Sequence, residues 1–470
     1  MRGGCLVRFL GRKQDLLKLE QLWARSSAQL VLMYGRRRIG KTYLLQEFIT
    51  GKQAIFYQAT QQAAEVELAA FSDFVRSLLR LPPGVNFPNW EVALEALSDY
   101  ATGKRLVVVL DEFPNLCEST KGLPSLIQRW WDHKGRHSHI MLILCGSAQT
   151  FMNELDMHAA PLYGRFTARL GVQPLSYREA AEFVPDLSSE EKALVYGLLG
   201  GTPFYLDQWE TQASFRDNVM RLFGDSLSAL IDAPDRMLTT TLNDARSAYR
   251  VLQAVAFGKT RWAEIRDFAK VHDRAITQLV TIGLLERRVP ITEDALRSRR
   301  VRYRIPDPNL RFWFRFILPH RSQIERGLGR GVVESQILPL LDDHMGQVYE
   351  DIAREFAYEL VTNGVLSADD VGYWQSSDGQ NEIDIVGAQN HHPTFYGTVK
   401  WQKQPIDQRV IANLEGHIQA LNLNLDVPRL IIGRNAPAPI TAPLTAGFGA
   451  DDLYGSIETA AASLRVQLAR

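Results

Sequence analysis

Gly35-Arg36-Arg37-Arg38-Ile39-Gly40-Lys41-Thr42 is the stretch whose residue types and spacing speak most directly of chemistry. Its two glycines let the backbone curl so that successive N–H groups face inward, a nest for phosphate oxygens. A helix opening near Lys41 adds its positive end to the same spot. In such a loop Lys41 reaches the β- and γ-phosphates of a nucleoside triphosphate, and the Thr42 hydroxyl ligates Mg²⁺. Arg36, Arg37, Arg38 and Ile39 fill the variable positions. The three arginines have two readings: solvated loop charge, or additional phosphate or partner contacts.

A second set of chemical groups lies at the end of the apolar run 106–110, where Asp111 and Glu112 follow. Asp111 is expected to hold the Mg²⁺ through water, and Glu112 to polarise the attacking water as a general base. Ser147, just past the apolar run 140–145, is either a contact to the γ-phosphate or catalytic water, or a turn residue. Arg165 is placed to sense the γ-phosphate or to offset transition-state charge. A third set sits far along the chain: Glu350 on a helix, Asp384 on an alternating strand and Lys400 on the next strand. Acid, acid and lysine in that layout suit a metal-dependent phosphodiesterase, with carboxylates on Mg²⁺ and the lysine orienting water. Such a site needs another carboxylate two positions before the lysine, where this chain has Thr398. Affinity for a hard divalent cation should fall accordingly, and Glu382 lies one strand repeat away from Asp384 on the same face.

These groups need elements to position them. The apolar run 30–33 before Gly35 predicts a strand, and the segment from Lys41 an amphipathic helix. Runs 106–110 and 140–145 are apolar throughout, as strands buried on both faces of a parallel sheet must be. Ligands of such sheets bind at the carboxyl ends of the strands, where Gly35, Asp111 and Ser147 all fall. Residues 15–23 read as a helix preceding the first strand, 54–57 as a second strand, and 65–81 and 90–100 as helices separated by Pro82-Pro83-Gly84.

The chain beyond is read in four parts after a core of residues 1–172. Residues 173–238 form a helical lid, with a sharp re-entry at Gly200-Gly201-Thr202-Pro203. Residues 239–318 combine helices with two short strands near 283–290 and 299–305, the order of a winged helix-turn-helix. Over 240–330 there are 19 Lys and Arg against 9 Asp and Glu, while the whole chain sums to zero. Basic charge gathered on a helix-turn-helix is a nucleic-acid footprint, although such units also serve protein contacts. The aromatic run 312–314 reads as core packing. Residues 319–336, rich in Gly and Arg, read as a linker, and 337–470 as a small α/β domain that includes a helix over 406–421.

A chain of 470 residues exceeds one core, which agrees with several domains. Cys5, Cys117 and Cys145 are scattered and odd in number, so they read as buried small side chains in a reducing compartment. No apolar run reaches membrane-spanning length and no leader pattern opens the chain, so a cytoplasmic protein without membrane contact is expected.

Taken together, Phe9-Leu10-Gly11-Arg12, the glycine-bounded loop, Leu110-Asp111-Glu112, Pro161-Leu162-Tyr163-Gly164-Arg165, Gly201-Thr202-Pro203 and Asp307-Pro308-Asn309-Leu310-Arg311-Phe312-Trp313 occur in this order. In that arrangement the chain resembles the archaeal ATPase family within the signal-transduction (STAND) class of P-loop NTPases, relatives of the AAA and origin-recognition ATPases. The resemblance implies an α/β protein with a P-loop NTPase core of parallel sheet and helical lid, a winged helix-turn-helix, and a carboxyl-terminal α/β domain similar to the PD-(D/E)XK restriction endonucleases. It implies ATP with Mg²⁺ as cofactors and places Gly11 and Arg12 near the adenine. Family members read Gly-Glu-x-Lys-Trp where this chain has Gly397-Thr398-Val399-Lys400-Trp401, a departure that counts against cleavage. The leading expectation is an ATP-hydrolysing switch coupled to double-stranded DNA through the winged helix. Two alternatives stay open: an ATP-regulated Mg²⁺-dependent nuclease, and a slow signalling ATPase scaffold acting on a protein partner or through self-association.

Overall fold

The computed structural model describes residues 9–242, 244–376, 379–420, 423–437, 440 and 442–468; Cys5 and Leu421 lie outside them. Strands β1 (Gln29–Tyr34), β2 (Ala54–Gln58), β3 (Leu106–Asp111), β4 (Ile140–Gly146) and β5 (Ala168–Gly171) form a parallel sheet in the order β2-β3-β4-β1-β5. Their apolar alternation splits across both faces. Leu30, Leu32, Val108, Leu110, Leu142 and Leu144 pack with Phe71, Trp90, Leu94 and Trp130 on one side. Val31, Met33, Val107, Val109, Met141 and Ile143 pack with Leu19, Leu44, Leu45 and Phe48 on the other. A strand buried on both faces has no polar side to spare, which explains the unbroken apolar runs. The expected helices appear as Ala64–Leu79 and Trp90–Tyr100, and the helix after the glycine loop as Lys41–Ile49. This first compact unit comprises residues through Leu175 together with Thr202–Phe204.

The second unit comprises 176–201 and 205–470. Helices Ala245–Ala256, Trp262–Ala269 and Asp273–Thr281 precede an antiparallel pair, β6 (Glu286–Arg288) and β7 (Arg302–Arg304). The pair is shorter than its sequence segments. Phe312, Trp313 and Phe314 are fully buried, as expected of a core run.

Residues 319–336 are not a linker. They are helical over Arg321–Gln323, Ile324–Leu328, Gly329–Val332 and Val333–Ile337, in two runs that meet at a kink at Gly327, where φ is 83°. A Cβ on Gly329 would strike the carbonyl oxygen of Gly224, so this glycine serves close backbone approach instead of flexibility. Arg321 anchors to Asp232 at 2.6 Å and Asp235 at 3.2 Å.

Strands β8 (Asp370–Gln375), β9 (Glu382–Gln389) and β10 (His392–Lys400) form an antiparallel meander, and β11 (Arg429–Gly433) and β12 (Thr445–Phe448) extend it in parallel, in the order β12-β11-β10-β9-β8. Helix Leu341–Thr362 packs on β8, β9 and β10. It buries Met345, Val348, Tyr349, Ile352, Phe356 and Leu360, the three-and-four spacing of one helical face. Helix Gln408–Ala420 packs through Ile411, Leu414 and Ile418 against Ile383, Val386, Tyr396 and Ile431. Among the described residues, no helix is long and apolar enough to cross a membrane.

Candidate active site

Three adjacent parallel strands deliver the amino-terminal groups to one edge. β4 lies between β1 and β3, with Tyr34 opposite Gly146 and Leu110 opposite Leu144, so the strand ends carrying Gly35, Asp111 and Ser147 are neighbours. The loop after β1 is tightly held. A Cβ at Gly35 would run into the Val172 carbonyl and the Ile39 side chain. Gly40, at φ 88°, caps the helix that starts at Lys41, and Arg38 takes a left-handed φ of 68°. Such a conformation at arginine is uncommon and marks a loop fixed by its surroundings.

Lys41 is buried, and its Nζ donates to the carbonyl oxygens of Gly35 at 2.9 Å and Arg36 at 3.0 Å. Burial pulls the amine below its usual range, opposed by Cys145, Glu112 and Asp111. The Thr42 hydroxyl donates to Asp111 Oδ2 at 3.0 Å, and the Glu112 amide to Asp111 Oδ1 at 3.0 Å. A hydroxyl and a carboxylate are both hard oxygen groups, and their meeting at this strand edge would suit Mg²⁺ held by Thr42 and, through water, by Asp111. Glu112 sits at a left-handed φ of 52° where β3 gives way to helix Phe113–Ser119, and its carboxylate accepts from the Ser147 hydroxyl at 3.1 Å. Ser147 thus touches the expected general base, with Arg37 Nε 3.5 Å from the same hydroxyl.

The other candidates of this unit are placed as follows. Arg12 is buried and donates to the carbonyls of Ile39 at 2.6 Å and Gln173 at 2.5 Å, tying the glycine loop to the chain after β5; Gly11 before it has φ 67°. Arg165 grips Asp132 with Nε at 3.0 Å and Nη2 at 2.8 Å, which holds the Asp132 carboxyl below its usual range. Two roles went unread in the sequence. The Cys145 thiol is buried beside Asp111, and burial followed by Asp111 pushes it well above the usual thiol range, so it stays a protonated donor. Phe204 lies under the Arg38 guanidinium at 4.4 Å, and Pro203 Cγ is 3.5 Å from a Cβ built at Gly40, so Thr202–Phe204 brace the loop. Only the abrupt proline after two glycines hinted at that.

In the second unit Glu350, Asp384 and Lys400 also come together. Asp384 Oδ2 accepts from Thr398 Oγ1 at 3.0 Å and from the Val399 amide at 2.8 Å, with Lys400 Nζ at 3.8 Å. Arg354 donates to Glu350 at 2.9 Å and to the Asp384 carbonyl at 3.1 Å. Burial, then Asp384, pushes the Glu350 carboxyl up to about 7. This donor set does not fit a divalent cation. Asp384 Oδ2 already accepts two hydrogen bonds with Lys400 Nζ 3.8 Å away, and an arginine already partners Glu350. The centre of charge is instead Asp351, which sequence reading missed. It pairs with Arg304 on β7, with Arg311 at 2.9 Å and with Arg354 at 2.5 Å. Burial opposes its ionisation, but Arg304, Arg354 and Arg311 hold it well below the usual carboxylate range. The arginine excess of 240–330 was the available signal, since buried arginines require acids from elsewhere.

Comparison with known proteins follows these two regions. Residues 9–209 match the family described as an ATPase domain predominantly from Archaea. Residues 313–411 match one described as archaeal and bacterial proteins of unknown function. An uncharacterized protein of Methanocaldococcus jannaschii is 29% identical over 404 residues, covering 84% of this chain and 88% of its own length. An ATP-binding protein of the same organism is 44% identical over 48 residues, 10% of this chain and 81% of that protein. Among solved structures, a Walker-type ATPase of Pyrococcus abyssi is similar with a TM-score of 0.49 and 20% identity, covering 65% of this chain and 96% of that one. The glycine loop and the β3 acids both lie inside residues 9–209, the segment that matches the ATPase domain found predominantly in Archaea.

Proposed function

We propose that the chain is a nucleotide-driven switch in which ATP hydrolysis in the first unit alters how a winged helix-turn-helix in the second engages duplex DNA. The observation that carries the nucleotide half is the meeting of Lys41, Thr42, Asp111, Glu112 and Ser147 at neighbouring strand ends. Lys41 exchanges the Gly35 and Arg36 carbonyls for β- and γ-phosphate oxygens, a trade that its burial favours because an ammonium in low dielectric needs strong partners. Thr42 and Asp111 would hold Mg²⁺, which supplies charge neutralisation on the phosphate oxygens. Glu112, oriented by Ser147, takes the proton of the water whose oxygen attacks the γ-phosphorus as ADP departs. Arg165 joins only once its pair with Asp132 opens.

Thr202–Phe204 suit the relay. They brace the phosphate loop, while the chain on either side of them belongs to the second unit. The basic excess over 240–330 supports the DNA half, and the exposed Lys270 and Arg274 lie just before and in the first turn of helix Asp273–Thr281. A cytoplasmic location is part of the same reading. The acids at Glu350 and Asp384 enter it as a structural knot, not as a nuclease centre.

Lys41→Ala is expected to abolish ATP hydrolysis, and turnover that survives it would refute the site. Duplex affinity should fall steeply with salt as phosphate contacts displace counterions; a flat response would point to a protein partner.

A further inference from the structure

Beside the β6–β7 hairpin is a cleft of about 590 Å³ lined by Arg261, Arg287, Arg299, Arg300 and Arg302, with no carboxylate among its walls. Two of these arginines are tied down: Arg300 to Glu293 and, at 2.7 Å, to the Gln375 carbonyl, and Arg287 to the Ala295 carbonyl. Arg261, Arg299 and Arg302 form no ion pair among the described residues. Their neighbours make this unusual, because Arg304, Arg311 and Arg354 all converge on Asp351. In the cleft only Arg300 has such a partner, Glu293, and Arg261, Arg299 and Arg302 have no carboxylate within ion-pair distance among the described residues. Like charges gathered in a concave site focus a positive potential that an anion relieves.

The shape narrows the choice of anion. Trp262 and Tyr303, with ring centroids 5.6 Å apart, form an aromatic side to the cleft, and Gln375 and Ser376 at the end of β8 close it. A volume of that size lies in the range of small-ligand clefts, about 300–1,000 Å³, which suits a short stretch of one strand and not a whole duplex. Arginines tracking a backbone beside an aromatic wall are the ingredients of single-strand binding. We infer that this cleft binds the sugar–phosphate backbone of a single nucleic-acid strand, its unpaired arginines neutralising successive phosphates. The inference rests on the nucleic-acid reading of the same segment but assigns the strand a separate surface from the helix that meets a duplex.

Fluorescence anisotropy on the full chain tests it, with a labelled thymidine oligonucleotide of about 12 nucleotides and a duplex of the same length. Replacing two phosphate-binding arginines, as in Arg299→Gln with Arg302→Gln, should lower single-strand affinity about tenfold or more. The same change should reduce the slope of log affinity against log salt by about 1.4, since each single-strand contact contributes about 0.7. Duplex affinity should fall by much less than single-strand affinity. If the double variant loses its native circular dichroism, the exposed Arg299→Gln alone should reduce the slope by about 0.7. Native protein that binds no single strand, variants with unchanged single-strand affinity, or equal losses for single strand and duplex would each overturn the assignment. Native protein that ignores duplex but loses single-strand affinity in the variant would refute the helix-turn-helix proposal and leave the cleft standing.

Discussion

Two threonines in this chain donate to two aspartates at the same 3.0 Å, Thr42 to Asp111 and Thr398 to Asp384, each with a lysine and a glutamate nearby. The residue types match, yet the surroundings give the two pairs different chemistry. Around Asp111 the lysine is held by backbone carbonyls alone, and Glu112 by one serine hydroxyl and a left-handed backbone. Those partners are neutral and can be exchanged for a phosphate chain. Around Asp384 the partners are an amide, a hydroxyl and a lysine, while Arg354 holds Glu350 and reaches across to Asp351. Exchanging a charged partner in a half-buried site leaves another charge uncompensated, so the second cluster is built to stay as it is.

The sharpest way to break the comparison is at the bases. Glu112→Gln should lower ATP turnover by about 10²–10⁴-fold while nucleotide binding persists, because it removes the proton acceptor and keeps the shape. Turnover near the native rate would place the base elsewhere and erase the contrast with Glu350. Glu350→Gln, by the same assay, should leave turnover untouched.

Next in size is the arginine knot. Asp351→Ala strands Arg304, Arg311 and Arg354 without their shared acid and should cost about 3–5 kcal/mol in urea unfolding, as breaking a buried ion pair does. Because the Asp351 carboxyl is held below its usual range, its contribution is full above the ordinary aspartate range and is lost only as pH falls beneath it. Glu350 has the opposite sign. Its carboxyl rises from 4.5 to about 7, so in that window the folded chain holds a proton that the unfolded chain has released. Stability therefore declines as pH rises from about 4.5 to 7. Glu355, raised to about 8 by burial and then Glu359, carries the same decline further. Unfolding free energies measured across this range should show Glu350→Gln making the decline below about pH 7 shallower and leaving the Glu355 part in place; an unchanged profile would mean that Glu350 is freely solvated.

How much of this could be read beforehand followed the distance over which each feature is encoded. The phosphate loop is contiguous, and its chemistry demands Gly35, Gly40, Lys41 and Thr42 at fixed spacing, so it was plain. Strands buried on both faces announced themselves by unbroken apolar runs. Asp351 could not be found this way, because its partners at 304, 311 and 354 meet only after the hairpin, a short helix and the long helix have packed. Residues 319–336 misled for a different reason. Glycine weakens a helix on propensity, but Gly329 is required by the backbone of Gly224, a tertiary demand that local composition does not carry.

The smallest expected effect isolates the comparison most cleanly. Thr398→Val keeps the shape at a buried position and removes one of the donors to Asp384. The Val399 amide and Lys400 remain, so the carboxylate stays partnered and the loss should be about 1 kcal/mol in urea unfolding, the net worth of one hydrogen bond. ATP turnover should not change. The matching Thr42→Val removes a hydroxyl at the same distance from an aspartate, and there turnover should collapse, since that oxygen belongs with the metal and phosphates. If both valines merely soften unfolding, Thr42 has no more chemistry than Thr398. If both abolish turnover, the carboxyl-terminal cluster is coupled to hydrolysis and is not the closed knot that its partners suggest.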